Sequence, residues 1–440
     1  MSLNRLILLQ LAVSLIYTKV IAQDTGRQVH RYNLHFQTTY IYQVKPSFHS
    51  PYEGKNSLVG KKEVQNSITA TLYLGTGLWK GASIYLNPEI AGGSGLSGAV
   101  GMAGSSNGET FRVGNPSPTL YWARYYIKQT FNQGKDKEWQ DEGANQMDTY
   151  VYNKRLSLYA GKFSLGDIFD NNQYSNSPRT QFLNWALMNN GAWDYAANVR
   201  GYTYSLALEE IFNSWVFRIA ASALPMEANG DKLNLMFRDS FAIAINAEVC
   251  RAYNIHNKKG NIRLLAYRNE TNMGSYSQAV NTMSMPDIIA TRKQGRIKWG
   301  LGINADQELN KDAGIFLRTG WNDGRNETWA FTEIERTLCL GLSQKGRRWH
   351  RNNDNAGIAL VVNGLSNDHR QYLAKGGSGF MLGDGRLNYS PETITELFYS
   401  LKPPGIPLWL TCDYQFVINP GYNKDRGPVN IFSIRVHTEF

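Results

Sequence analysis

Cysteine is nearly missing from this chain of 440 residues: three occur, at Cys250, Cys339 and Cys412. An odd and widely spaced trio excludes a disulfide framework and a thiolate zinc site. Proline is scarce at 14, so long regular segments can run uninterrupted. The seven histidines form no HExxH motif, so no metal ligand set is expected, and no GxSxG elbow marks a hydrolase. Gly93, Gly95 and Gly98 spell GxGxxG, but the periodicity that follows is again two, with no βαβ unit for a dinucleotide. No cofactor is expected. Charged residues are only 19% and apolar ones 42%, which excludes a disordered chain. Basic residues are not interleaved with aromatics in a binding motif, so the net charge of +10 does not imply nucleic acid.

Long apolar runs are also lacking. The one candidate, Leu6 to Tyr17, follows Arg5 and is too short to span a bilayer as a helix. Val20 and Ala22 stand at the small positions of a cleavage site, so residues 1–22 read as a secretory signal peptide and 23–440 as one mature domain. Its removal takes Arg5 and Lys19 and lowers the charge to +8. With no later run long enough for a membrane helix, the exported chain is either soluble or a membrane β-barrel.

What is abundant is alternation. Phe432, Ile434 and Val436 alternate with Ser433, Arg435 and His437, and Leu408, Leu410, Cys412 and Tyr414 with Trp409, Thr411 and Asp413. Sixteen such segments are expected, among them 118–131, 199–212 and 328–345, each long enough to cross lipid at a tilt. The connections between them alternate in length, averaging about 19 residues on one side and about 6 on the other, as in outer-membrane barrels. The stretch 132–149 breaks that rule. Tyr32, Tyr40, Tyr42, Trp79, Tyr121, Trp122, Trp215, Trp299, Trp321, Trp329, Trp409 and Phe440 fall near segment ends, where interfacial aromatics belong. A C-terminal Phe440 on an alternating strand is the end that barrel assembly machinery reads. The expected fold is therefore all-β: a transmembrane antiparallel barrel of about sixteen strands in the bacterial outer membrane. Such a ring encloses water instead of a packed core. Oligomeric state, monomer or homotrimer, is left open.

The longest connection carries helix signals. Ser177 suits an N-cap, Pro178 the first helical position and Gly191 a stop, with Phe182, Leu183, Ala186 and Leu187 as an apolar stripe. A helix of about three turns is expected there, in a loop folded inward to narrow the channel. Asp167, Asp170, Asn171, Asn172, Arg179 and Trp185 accompany it. Barrel parity then selects the wall residues that face water: Arg155, Arg218, Arg318, Arg435 and Asp413 near mid-strand, and Glu209 and Glu248 at other heights. Arginine forks, carboxylates and an aromatic would together bind sugar hydroxyls and stack on sugar faces, weakly enough for release. Arg426 falls in an outer loop, away from this set.

The stretch from Leu156 to Glu210, including GKF at 161–163 and DNNQYSNSPRTQFLNWAL at 170–187, resembles the carbohydrate-selective outer-membrane porins of the OprB-like family. YQFVINPG at 414–421 adds to the resemblance. It implies a sixteen-strand barrel and passive diffusion of sugars through a channel lined by charged and aromatic groups. No single contact residue transfers by motif. The basic charge and central arginines keep a general or anion-preferring porin as the alternative. A barrel-embedded hydrolase would need a Ser/His pair that the spacing does not provide, and a soluble lectin would not need detergent.

Overall fold

The computed structural model describes residues 29–110, 116–235 and 242–440. The expected signal segment lies outside them. Sixteen strands run in sequence order: β1 Tyr32–Lys45, β2 Glu63–Trp79, β3 Ala82–Gly92, β4 Thr119–Gln140, β5 Thr149–Phe163, β6 Thr203–Phe212, β7 Trp215–Ala223 and β8 Ile243–Ile255. They continue with β9 Lys258–Met273, β10 Lys293–Asn310, β11 Ala313–Asn322, β12 Arg336–Lys345, β13 Asn355–Gly364, β14 Glu392–Leu401, β15 Leu408–Ile418 and β16 Val429–Glu439. Each pairs antiparallel with its chain neighbours, and β1 pairs with β16, so the sheet is a closed barrel. Phe440 exchanges backbone hydrogen bonds with Phe36 at that seam. Among the described residues, no helix is long and apolar enough to cross a membrane.

The two-residue period sorts side chains between the faces. Phe432, Ile434, Leu338, Leu340, Ile358 and Leu360 project outward and are exposed, while Ser433, Arg435 and His437 are buried on the inner side. Closure leaves no edge of unpaired backbone, the condition for standing in hydrocarbon. Trp79, Trp122, Trp215 and Trp299 are exposed on the outer face. Three of the expected interfacial aromatics are not on that face. Trp409 packs on the inward His437, with 5.3 Å between ring centroids. Tyr121 bonds to the inward Glu89, and Trp329 is fully buried inside the barrel.

Connection length segregates by side. The described residues 46–62, 93–110, 116–118, 164–202, 224–235, 242, 274–292, 323–335, 365–391 and 419–428 lie at one mouth, and shorter turns at the other, the periplasmic side of such barrels. The exception at 132–149 disappears because β4 continues to Gln140, leaving a turn of 141–148.

Several long connections fold into the barrel and fill much of it, so the lumen is not simply water-filled. Trp193, Trp329, Phe182 and Leu187 are fully buried there. Two expectations fail for one reason: the wall and neighbouring loops capture backbone groups that local structure needed. The expected three-turn helix is a single turn, Trp185–Met188, capped by Asn184. Glu396 of β14 accepts from the N–H groups of Leu183 and Asn184, and Arg435 donates to the Pro178 and Gln181 carbonyls at 2.6 and 2.8 Å. Strand β12 begins at Arg336 and not near 328, because Asp194 accepts from the N–H groups of Trp329, Ala330 and Phe331 at 2.8–3.2 Å. Charge-assisted bonds of this kind are worth about 1.5–3 kcal/mol each, enough to override local propensity.

Candidate functional site

The infolded 164–202 loop divides the inner wall into two regions. Over β10–β16 it packs directly on the wall. Over β2–β7 polar and aromatic groups remain partly accessible.

The first region holds two of the four arginines that parity selected, Arg318 and Arg435, and they brace the loop. Arg318 is fully buried, 3.1 Å from the Asp170 carboxylate, and donates to the Leu187 carbonyl at 2.6 Å. Asp170 also accepts from Asn304 Nδ2 at 2.8 Å and from the Asn190 N–H at 2.7 Å. Arg435 is fully buried under the loop segment it binds. Asp413 is buried and accepts from Gln415 at 3.3 Å. Trp185 packs on Phe331 at 5.6 Å between ring centroids and donates to the Asn107 carbonyl at 2.7 Å. Asn171 bonds within the loop, to Ile168 and Asn176. Arg318, Arg435, Asp413 and Trp185 are sealed against the loop, so the expected ring of converging arginines does not line an open channel, whereas Asn171 is half-buried and borders a polar cavity on the other side.

On the other side, Arg218 stands between Glu209 and Glu248, with contacts of 2.8 and 2.6 Å. The three are direct neighbours across β6, β7 and β8. Glu248 also accepts from the Asp170 N–H at 2.7 Å, tying the ladder to the loop. Tyr159 donates to Glu209 at 3.2 Å. Arg155 stands apart, donating to the Tyr152 carbonyl at 2.7 Å. Glu209 and Arg218 border a polar cavity of about 380 Å³ with Tyr126, Lys128, Phe163 and Asp167.

Above this ladder, toward the long loops, lies a denser cluster. Arg179 pairs with Glu109 at 2.9 Å and with Glu89 at 3.2 Å. Burial alone would lower its pKa, but Glu109, Tyr73 and Glu89 outweigh it and hold the guanidinium well above its ordinary value. Arg124 makes a two-point contact with Asp167, both bonds 2.7 Å. Its guanidinium carbon lies 5.0 Å from the Tyr202 ring centroid, and that of Arg200 lies 4.1 Å from the Tyr121 ring. The two rings are 6.2 Å apart and tilted by 49°. Burial and Glu89 push the Tyr202 phenol well up, so it stays neutral and donates to Glu89 at 3.0 Å. Arg200 Nη1 has no hydrogen-bond partner among the described residues.

Of this cluster the sequence reading named Arg179 and Asp167, assigned Tyr121 to the interfacial aromatics, and missed Arg124, Arg200, Tyr202, Glu89 and Glu109. A bulge explains part of the omission. The β3–β4 register shifts between Asn87 and Pro88, so that Trp122 opposes Pro88 and Arg124 opposes Asn87. Tyr121 and Arg124 both turn inward although their spacing is odd. Pro88 inside a strand was the available signal. Among the described residues, no group of His, Cys, Asp and Glu could hold a metal ion.

The chain matches the family description "Carbohydrate-selective porin, OprB family" over residues 55–440. Its fold is similar to the high-pH structure of Pseudomonas putida OprB, at 15% identity and a TM-score of 0.69, with 93% of this chain and 94% of that one covered. It is also similar to the outer membrane channel DcaP of Acinetobacter baumannii, at 10% identity and a TM-score of 0.53, covering 96% and 100%. Among curated protein sequences there is no significant match.

Proposed function

The chain belongs to the carbohydrate-selective porin family, OprB, and on that premise we propose that it passes carbohydrates by passive diffusion. It is a bacterial outer-membrane porin, a channel through which solutes cross. The observation that carries the finer reading is the crossed pair of arginine–tyrosine stacks, Arg124 on Tyr202 and Arg200 on Tyr121. Tyr202 is buried and supports Arg124 from within, while the half-buried Tyr121 leaves aromatic surface that suits the C–H face of a sugar ring, and the partly accessible guanidinium groups of Arg124 and Arg179 suit its hydroxyls. The arginines Arg124, Arg179 and Arg218 are each balanced by carboxylates. That balance supports a neutral, hydroxyl-rich solute over a free anion, which would favour unpaired positive charge.

The rest of the reading follows from a channel with no reaction to perform: no catalytic role is assigned to any residue. Residues 1–22 are proposed to be removed on export, and the strand ending at Phe440 to be read by the assembly machinery.

The test is single-channel conductance with a panel of sugars as blockers. Sugars are expected to block, and Arg124→Ala or Tyr202→Ala to weaken block about tenfold, the equivalent of 1.4 kcal/mol. Equal permeation of sugars and size-matched polyols, unaffected by either variant, would overturn the carbohydrate reading in favour of general diffusion.

A further inference from the structure

The β4–β5 hairpin is built unlike the other six tight turns. β3 leaves β4 at Gln129 and β6 leaves β5 at Lys154, so beyond those points the two strands pair only with each other. The ribbon thus projects past the periplasmic rim. It then bends: the register jumps between Gln133 and Lys137 of β4 while β5 advances from Lys154 to Tyr152. Gly134 takes φ +82° in that bulge, a conformation that glycine adopts without strain. The bend returns the tip, 141–148, into the barrel from below.

Inside, the tip is held by a small set of polar contacts. Asn145 and Asn87 exchange two amide hydrogen bonds of 2.9 Å. Asn87 lies halfway along β3 on the inner face and is fully buried, so the tip reaches well into the lumen. Asn33 donates to the Gln146 carbonyl at 3.3 Å, and His30 bonds to Asp148 through its N–H at 2.9 Å and its ring at 2.5 Å. Asn145 and Gln146 form one side of the polar cavity that Glu209 and Arg218 border. The tip therefore occupies the side of the lumen that the long loops leave open.

We propose that this hairpin is a periplasmic gate: its tip closes the passage below the arginine–tyrosine cluster, and rotation about the Gly134 bulge opens it. The fastening suits that task. It consists of a few hydrogen bonds around one buried apolar side chain, Met147, and residues 132–138 are exposed. Elements with so little apolar burial open locally while the remainder of a fold stays intact. The gate acts on any solute, so it does not rest on the carbohydrate reading.

The experiment uses the full-length porin in planar bilayers, with Asn87→Cys and Asn145→Cys in a Cys412→Ser background, since Cys412 is the one exposed thiol. A short bifunctional methanethiosulfonate joins the two introduced thiols and a reductant releases them. Joining is expected to lower conductance at least about threefold and reduction to restore it. Either single-cysteine variant should show no such reversible loss. Failure of the thiols to join places the tip elsewhere and overturns the proposal, as does joining that leaves conductance unchanged. A second variant replaces residues 135–151 by a two-residue turn. It is expected to be open throughout, and wild-type conductance in a folded barrel of this kind also overturns the gate.

Discussion

Arg318 of the barrel wall and Asp170 of the 164–202 loop form an ion pair sealed from solvent, with Nε 3.1 Å from Oδ2. The same guanidinium donates to two loop carbonyls, Leu187 and Asp170. Removing one partner of such a pair leaves the other charged and buried, which costs about 3–5 kcal/mol. Arg318→Ala is therefore expected to lower the unfolding midpoint in detergent and to raise conductance, because the loop loses one of its anchors to the wall. Joint replacement, Arg318→Met with Asp170→Leu, should recover part of the stability. A loss of ion selectivity with unchanged stability would show instead that Arg318 faces the channel.

The strand pattern was legible because each face of a barrel strand meets a different medium. Phe432 and Ile434 are apolar for the same reason that Ser433 and Arg435 are not. Infolded loops break the next step of that reasoning. Arg435 and Arg218 have the same parity, yet one is capped by loop carbonyls and the other borders a cavity. Nothing in the wall sequence separates a carboxylate that meets water from Glu396, which accepts two loop N–H groups. The helix at 177–190 failed on the same ground: Ser177 caps only a turn, accepting from the Arg179 N–H, and the single helical turn that forms, Trp185–Met188, is capped by Asn184, because the peptide groups between are engaged by other parts of the barrel.

Thiol labelling reads this three-way distinction directly. Phe432→Cys and Ile434→Cys should react with a lipid-soluble maleimide. Ser433→Cys should resist both that reagent and a membrane-impermeant one, because its position is buried beneath the loops. An open channel wall would give strong impermeant labelling at 433, and a register slip by one residue would exchange the two sets.

Acid should loosen the plug. Burial pushes the Glu335 carboxyl up, but His369, at 3.0 Å, Lys298 and the Ser366 N–H outweigh it and hold it below its ordinary 4.5. A carboxyl with a depressed folded pKa contributes stability that is complete above its unfolded value and is lost as pH falls through the folded one. The unfolding temperature is thus expected to fall as pH drops below 4.5. Glu333 behaves in the opposite sense: burial raises its carboxyl, with His369 and the Met381 and Leu382 amides offsetting only part. Glu335→Gln is therefore the discriminating variant. It should be less stable at neutral pH and show a flatter acid limb; an unchanged limb would assign the acid response to other carboxyls.

Selectivity should turn on Arg179. It pairs with Glu89 and Glu109 at once, and its side chain remains partly accessible at 15%. Arg179→Ala leaves both carboxylates without their shared cation in a confined passage where salt screens poorly. The reversal potential should then move toward cations, and sugar block should weaken as the local order is lost. Arg179→Lys retains the charge but not the fork that spans two acids, so it should keep ion preference near wild type while still weakening block. The control must be an exposed arginine far from the passage. Arg426 is unsuitable, since it is buried and pairs with Asp384 at 2.5 Å; Arg348, exposed in the 346–354 turn, serves. If Arg348→Ala shifts the reversal potential as far as Arg179→Ala, the general field of the protein sets ion preference and the Glu89–Arg179–Glu109 group only braces the loop. If the Ala and Lys variants shift it equally, geometry and not charge is the determinant.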